Sequence, residues 1–263
     1  MLKKIVAPVV VGALMSFSAN VSAGVVGVFG DGPYGVGPGQ INNFYDGLVD
    51  HSSSVLGEIS DASLSGLDLL WANQPVNGYT GSQLGAMVNY IGNGGRIAFM
   101  GEHGQLAPTV NNNINDALEA LGAGVRIQNN ILDPGFRTAS VADGQIQDNP
   151  LTEGVETYRY AAYAELIPGL NTQALMLGED DPTSVMMAFE NVGFGSIFLI
   201  TDQNVWDSNV HPGFGNARMF ENLIEGDTGA PPIDPPPVGV PAPAPIGLLL
   251  LGMGALALRR KIA

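Results

Sequence analysis

The sequence predicts an α/β domain, a mostly parallel sheet with helices on both faces. Two observations carry this. Between residues 25 and 128, short apolar runs alternate with segments of helical period, the pattern of parallel strands joined by crossover helices. The chain has 263 residues and is 45% hydrophobic, so setting aside its two unusual ends leaves ample material for one domain and its core.

The elements follow in order. Val25-Val26-Gly27-Val28-Phe29-Gly30 is a β-branched run and reads as the first strand. A glycine-rich loop follows over 30–39, then a helix over 40–49 whose Ile41, Phe44, Tyr45 and Leu48 share one face. A second strand is expected over 54–59 and a third over 67–71. Thr80 is the expected N-cap of a helix over 81–91, which Asn93-Gly94-Gly95 ends. A strand over 96–100 and a helix over 111–121 follow, the helix closed by Gly122. A fifth strand begins at 125–128. The second half is richer in strand signals, at 157–162, 173–177, 185–189 and 196–201, and a last helix spans 216–224.

The formal net charge is −15, with 10 basic and 25 acidic residues. Half of the basic residues are terminal: Lys3, Lys4, Arg259, Arg260 and Lys261. Between the ends stand only Arg96, Arg126, Arg137, Arg159 and Arg218, with no lysine. Such a surface repels nucleic acid and anionic lipid, whose phosphates require clustered Lys and Arg. The absence of cysteine excludes disulfides, thiolate metal sites and a cysteine nucleophile.

Residues 1–23 read as a signal peptide. Lys3 and Lys4 precede an apolar run over 5–17, and Ser22-Ala23 precedes the expected cut between Ala23 and Gly24. This implies signal peptidase and the export machinery as partners. Residues 24–226 form the α/β domain. Residues 227–239 are a Pro-rich, extended, disordered linker. Residues 240–263 hold Val240-Pro241-Ala242-Pro243, an apolar helix over 246–258, and the basic stop Arg259-Arg260-Lys261, which the positive-inside rule keeps cytoplasmic. An apolar run of ~13 residues reaches only ~20 Å along a helix, short of a ~30 Å hydrocarbon core, so the anchor is marginal.

This tail resembles a PEP-CTERM sorting signal: a Pro-x-Pro motif, a short apolar helix, then terminal basic residues. Here the usual Pro-Glu-Pro is Pro241-Ala242-Pro243. The resemblance implies an exosortase-type enzyme that cuts near the Pro motif, a transient inner-membrane stage, and delivery to the cell surface or the extracellular space.

The body resembles the flavodoxin-like, three-layer fold of class I glutamine amidotransferases, in its non-catalytic branch. Three segments carry the likeness: the strand-helix unit from Leu69-Leu70-Trp71 to Gly94-Gly95-Arg96 and Gly101-Glu102; the turn Asn149-Pro150-Leu151-Thr152-Glu153-Gly154-Val155; and Ile200-Thr201-Asp202 with Asn216 and Asn222. In the catalytic members a Cys follows the strand that corresponds to 96–100. Here that turn reads Gly101-Glu102-His103-Gly104, so the likeness does not bring the activity with it.

The candidate catalytic residues are Glu102, His103 and Asp202, a carboxylate/His set at strand ends where open α/β sheets bind ligands. Asp31, Glu102 and Asp202 together are a candidate Ca²⁺ set, although the spacing forms no EF-hand, and no cofactor is predicted. Gly30-Asp31-Gly32-Pro33-Tyr34-Gly35 matches G-x-G-x-x-G, but Pro33 removes a donor and Asp31 repels phosphate, so it reads as a rigid loop. His51 and His211 are isolated. The expected function is an exported surface or matrix protein with a non-catalytic binding or structural domain. The alternative is an extracellular hydrolase or lyase acting on polysaccharide through the carboxylate/His set.

Overall fold

A computed structural model of the protein describes residues 24–225. The signal peptide, the linker and the sorting tail of the sequence reading lie outside the described residues. Among the described residues no helix is long and apolar enough to cross a membrane.

The strands are β1 (Val25–Gly30), β2 (Ser52–Val55), β3 (Leu69–Asn73), β4 (Arg96–Met100), β5 (Arg126–Ile127), β6 (Arg137–Ser140), β7 (Thr157–Tyr160), β8 (Leu166–Ile167), β9 (Thr172–Leu177), β10 (Val185–Val192) and β11 (Gly195–Ile200). The helices are α1 (Pro38–Asp46), α2 (Asp61–Leu64), α3 (Gly81–Gly92), α4 (Pro108–Leu121), α5 (Asp207–Val210) and α6 (Asn216–Glu225). Nine strands form one mixed sheet in the order β2-β1-β3-β4-β11-β10-β8-β5, with β9 also paired to β10. The five strands from β2 to β11 are parallel and follow the flavodoxin-like order. The strands beyond β11 extend the sheet antiparallel. A separate ribbon pairs β6 with β7.

The fold is an α/β fold of three layers, as the alternation predicts. Successive side chains of β3 enter opposite cores, Leu69 and Trp71 on one face and Leu70 and Ala72 on the other. The first core includes Tyr45 of α1, Phe220 of α6 and Tyr158 of the ribbon. The second is filled by α2, α3 and α4, with Leu64, Met87 and Ile114 among its members.

Several local signals act as expected. Thr80 accepts from the Gln83 N–H, and the Gln83 side chain returns the bond to Thr80 N, a capping box for α3. Gly122 ends α4 in the left-handed region at φ 78°. Other boundaries move. α1 begins at Pro38, not at 40, because proline is pre-set for the first helical turn. α4 begins at Pro108 for the same reason. β2 lies at Ser52–Val55 instead of 54–59, since Ser52, Ser53 and Ser54 supply the backbone that pairs with β1. The third strand is shifted two residues, to Leu69–Asn73.

Gly30 requires glycine for two reasons. Its φ is 139°, and a Cβ there would stand 1.8 Å from the Asn73 carbonyl oxygen. Gly30→Ala is expected to cost about 3 kcal/mol in a urea unfolding titration, and a loss below 1 kcal/mol would refute the contact.

Candidate functional site

The carboxyl ends of β1, β3, β4 and β11 bring together Asp31, Asn73-Gln74, Glu102-His103 and Asp202-Gln203. This edge is where ligands enter open α/β sheets, near the switch point between β1 and β3.

Glu102 follows β4 after Gly101 and is buried. Its Oε1 accepts from its neighbour's N–H (His103, 2.8 Å), and its Oε2 accepts from the Gln203 N–H at 3.3 Å. Its backbone is clamped by Asn111, whose Oδ1 accepts from Glu102 N and whose Nδ2 donates to Glu102 O. Burial first, then the nearby Asp202 charge, push the Glu102 carboxyl up to about 8, against the lowering effect of the His103 and Gln203 amides.

Asp202 is also buried. Its Oδ2 accepts from Ala161 N at 2.5 Å and its Oδ1 from Asn204 N at 2.8 Å, so it caps the 3₁₀ turn Gln203–Trp206. Burial pushes its carboxyl up to about 7, against the lowering effect of those two amides. His103 is partly exposed, with Nε2 3.9 Å from Glu102 Oε1, beyond hydrogen-bond reach. Burial lowers the His103 pKa, which favours the neutral imidazole.

The turn at 101–104 is not a strained nucleophile elbow. Positive φ at a non-glycine residue occurs after β3 instead, at the buried Gln74, whose φ is 44°. Both Gln74 amide atoms, Asn73 Oδ1 and His103 Nδ1 are buried without a protein partner.

The glycine-rich loop is tied across this edge. Gln203 Oε1 accepts from Val36 N, Gln203 Nε2 donates to Tyr34 O, and Asn73 Nδ2 donates to Val36 O. Asp31 is exposed and accepts from Val76 N at 2.9 Å. Among the described residues no group of three or more His, Asp or Glu side chains is placed to hold a metal ion. The Ca²⁺ set of Asp31, Glu102 and Asp202 therefore has no such geometry. Asp202 uses both oxygens on backbone amides.

The other motif residues carry structure. Asn149 caps the 3₁₀ turn Pro150–Thr152. Asn222 donates to Leu151 O and Glu153 O, and Asn216 brackets the Arg159 peptide from α6. The two histidines also have partners: His51 Nδ1 accepts from Gly24 N, and His211 Nε2 lies 2.6 Å from Asn204 O. Gln203 stands in the segment 200–204 that carries the fold likeness, but the sequence alone assigns neither it nor Asn111 its role as a clamp of this edge. Asn111 was visible only as a polar residue on a helix whose other inward positions are apolar.

No protein-family model matches the chain, and no curated protein matches it. Solved structures do. The N-terminal domain of mmIFT52 superposes with a TM-score of 0.63 at 16% identity, over 77% of this chain and 98% of that one. A ThuA-like protein from Bacteroides uniformis gives 0.53 at 10% identity, over 81% and 96%. A GMP synthase subunit from Thermoplasma acidophilum gives 0.50 at 14% identity, over 77% and 93%. At these identities the likeness is one of fold, and the body of this chain has the amidotransferase-like α/β fold.

Proposed function

We propose that this chain is an exported protein, sorted by its 240–263 tail, whose α/β domain is a non-catalytic binding or structural module of the cell surface or extracellular matrix. One observation supports the non-catalytic reading above the others. In the turn where a nucleophile would follow β4, the chain places a buried Glu102 whose oxygens serve the His103 and Gln203 amides. Asp202 is spent in the same way on Ala161 and Asn204. The polysaccharide hydrolase or lyase alternative needs these carboxylates turned toward a substrate, and both are turned toward the backbone.

Export and sorting rest on the ends of the sequence. Signal peptidase cuts between Ala23 and Gly24. An exosortase-type enzyme then cuts near Val240-Pro241-Ala242-Pro243, with the apolar run and Arg259-Arg260-Lys261 holding the chain briefly in the inner membrane. Intact-mass spectrometry of the protein from its native host checks this. The expected chain begins at Gly24 and lacks the run over 246–258. A chain that still extends to Ala263 would overturn the sorting reading.

A further inference from the structure

A second region of the molecule has the make-up of a binding site. A cleft of about 630 Å³ opens between the β6–β7 ribbon and the turn after β9, within the usual range for small-molecule sites. Its walls include Phe136, Arg137, Asp143, Gln145, Arg159 and Glu179. Only five arginines stand between the terminal signals, and this cleft takes two of them.

The parts are held in advance. Arg159 lies with its guanidinium carbon 5.1 Å from the Phe136 ring centroid and 5.7 Å from that of Phe214. Its Nη1 donates to Thr138 Oγ1 at 3.0 Å, and Asn216 brackets its peptide from both sides. One N–H of the planar fork is thus used within the protein, and the fork's orientation is fixed. Arg137 reaches Glu179 at 3.8 Å and Asp180 at 3.6 Å, joining the ribbon to the opposite wall. Gln145 is 6% exposed, and its Nε2 lies buried at the cleft wall with no protein partner. Phe136 is 47% exposed even with Arg159 over its ring and His211 against it edge-on, a costly position for a phenyl ring.

We propose that this cleft binds a neutral saccharide, with Phe136 as the stacking platform and Arg159 as the hydrogen-bonding fork. An exposed ring beside fixed polar groups suits a molecule with an apolar C–H face and a hydroxylated rim. Charge selects the neutral class. The two cleft arginines are matched by Asp143 and Glu179, and the body around them carries 23 acidic residues, so a polyanion is repelled on approach. Carboxylate and guanidinium alike can take adjacent hydroxyls two at a time. The proposal rests on the reading of the domain as a binding module and supplies its ligand class.

The test is affinity electrophoresis of the purified protein in native gels containing glucomannan, dextran or alginate. Retardation is expected in at least one of the two neutral gels and not in alginate. Phe136→Ala and Arg159→Ala are expected to weaken that retardation about tenfold, while Phe136→Tyr, which keeps the ring, retains it. Thermal unfolding of each variant establishes that it is folded. No retardation in either neutral gel overturns the proposal. Retardation by alginate alone overturns the ligand class, and retardation unchanged in folded Phe136→Ala and Arg159→Ala overturns the site. A reducing-end assay on the same polysaccharides separates the two claims: new ends would overturn the non-catalytic reading and leave the cleft standing.

Discussion

Trp71→Ala is expected to lower the unfolding free energy by about 4 kcal/mol. Trp71 is fully buried in the centre of the sheet, on β3. Its ring meets Trp206, Phe220 and Phe198 edge-on, at centroid distances of 5.4, 5.8 and 6.0 Å. Its Nε1 donates to Tyr45 Oη at 2.9 Å, and that hydroxyl donates to Phe220 O at 3.0 Å. The indole thus joins α1, the sheet and α6. Deleting it leaves a cavity among rings that cannot collapse freely, because Trp206 and Phe220 are already stacked at 3.9 Å. Trp71→Phe keeps most of the volume and loses part of the indole together with its donor, so its expected cost is about 1–2 kcal/mol. Urea titrations of both variants check this. Equal losses would mean that the hydrogen bond, not the packing, carries the effect.

Stability is expected to fall as pH rises from about 4.5 to 8, the interval between the ordinary glutamate value and the raised one. The folded chain lifts Glu102 to about 8 and Asp202 to about 7, both above their unfolded values. In the interval between, the folded state binds protons that the unfolded state has lost. The stabilisation is therefore complete below the unfolded values and is lost as pH rises through the folded ones. One such group contributes about 1.4 kcal/mol per pH unit, and the two together roughly 6 kcal/mol between pH 5 and 8. Glu102→Gln removes the larger part, because glutamine stays neutral. The variant is expected to equal the parent near pH 5 and to exceed it above pH 8. Chemical denaturation at pH 5, 7 and 9 tests this. A parent protein that grows more stable over that range would show that both carboxyls are ionised in the folded state.

The sequence made the main layers legible because their signals are local. β1 and β4 stand where their apolar runs stand, and α3 begins where Thr80 and Gln83 can cap it. Where a signal was indirect, the reading slipped. β2 is built from serines at the sheet edge, so neither alternation nor a β-branched run marks it, and the apolar residues that follow imitate a strand. β6, Arg137-Thr138-Ala139-Ser140, owes its state to its partner β7 and not to its own propensity. α2 is a four-residue helix with a Ser60/Ser63 box, in which serine takes the place usual for Glu or Gln. The candidate site divides in the same way. That Glu102 and Asp202 end strands could be read from their flanks. That their oxygens are taken by Gln203, His103, Ala161 and Asn204 could not, since two of those bonds join residues 41 and 101 positions apart. The Arg137–Arg159 cleft was still less visible, and the scarcity of arginine was its one trace in the sequence.

The position of β11 between β4 and β10 also sets the order in which the chain can mature. Met100 pairs with Ile200, so the middle of the sheet is closed by a strand that leaves the ribosome a hundred residues after its neighbour. Until then β4 is a bare apolar edge, the kind of surface that seeks a strand from another molecule. The β1 to β4 portion therefore has no finished state of its own. Folding awaits nearly the whole domain, and a nascent chain stays open until its last third arrives. The strongly acidic, lysine-free stretch between the two ends suits that interval, because mutual repulsion keeps waiting chains apart.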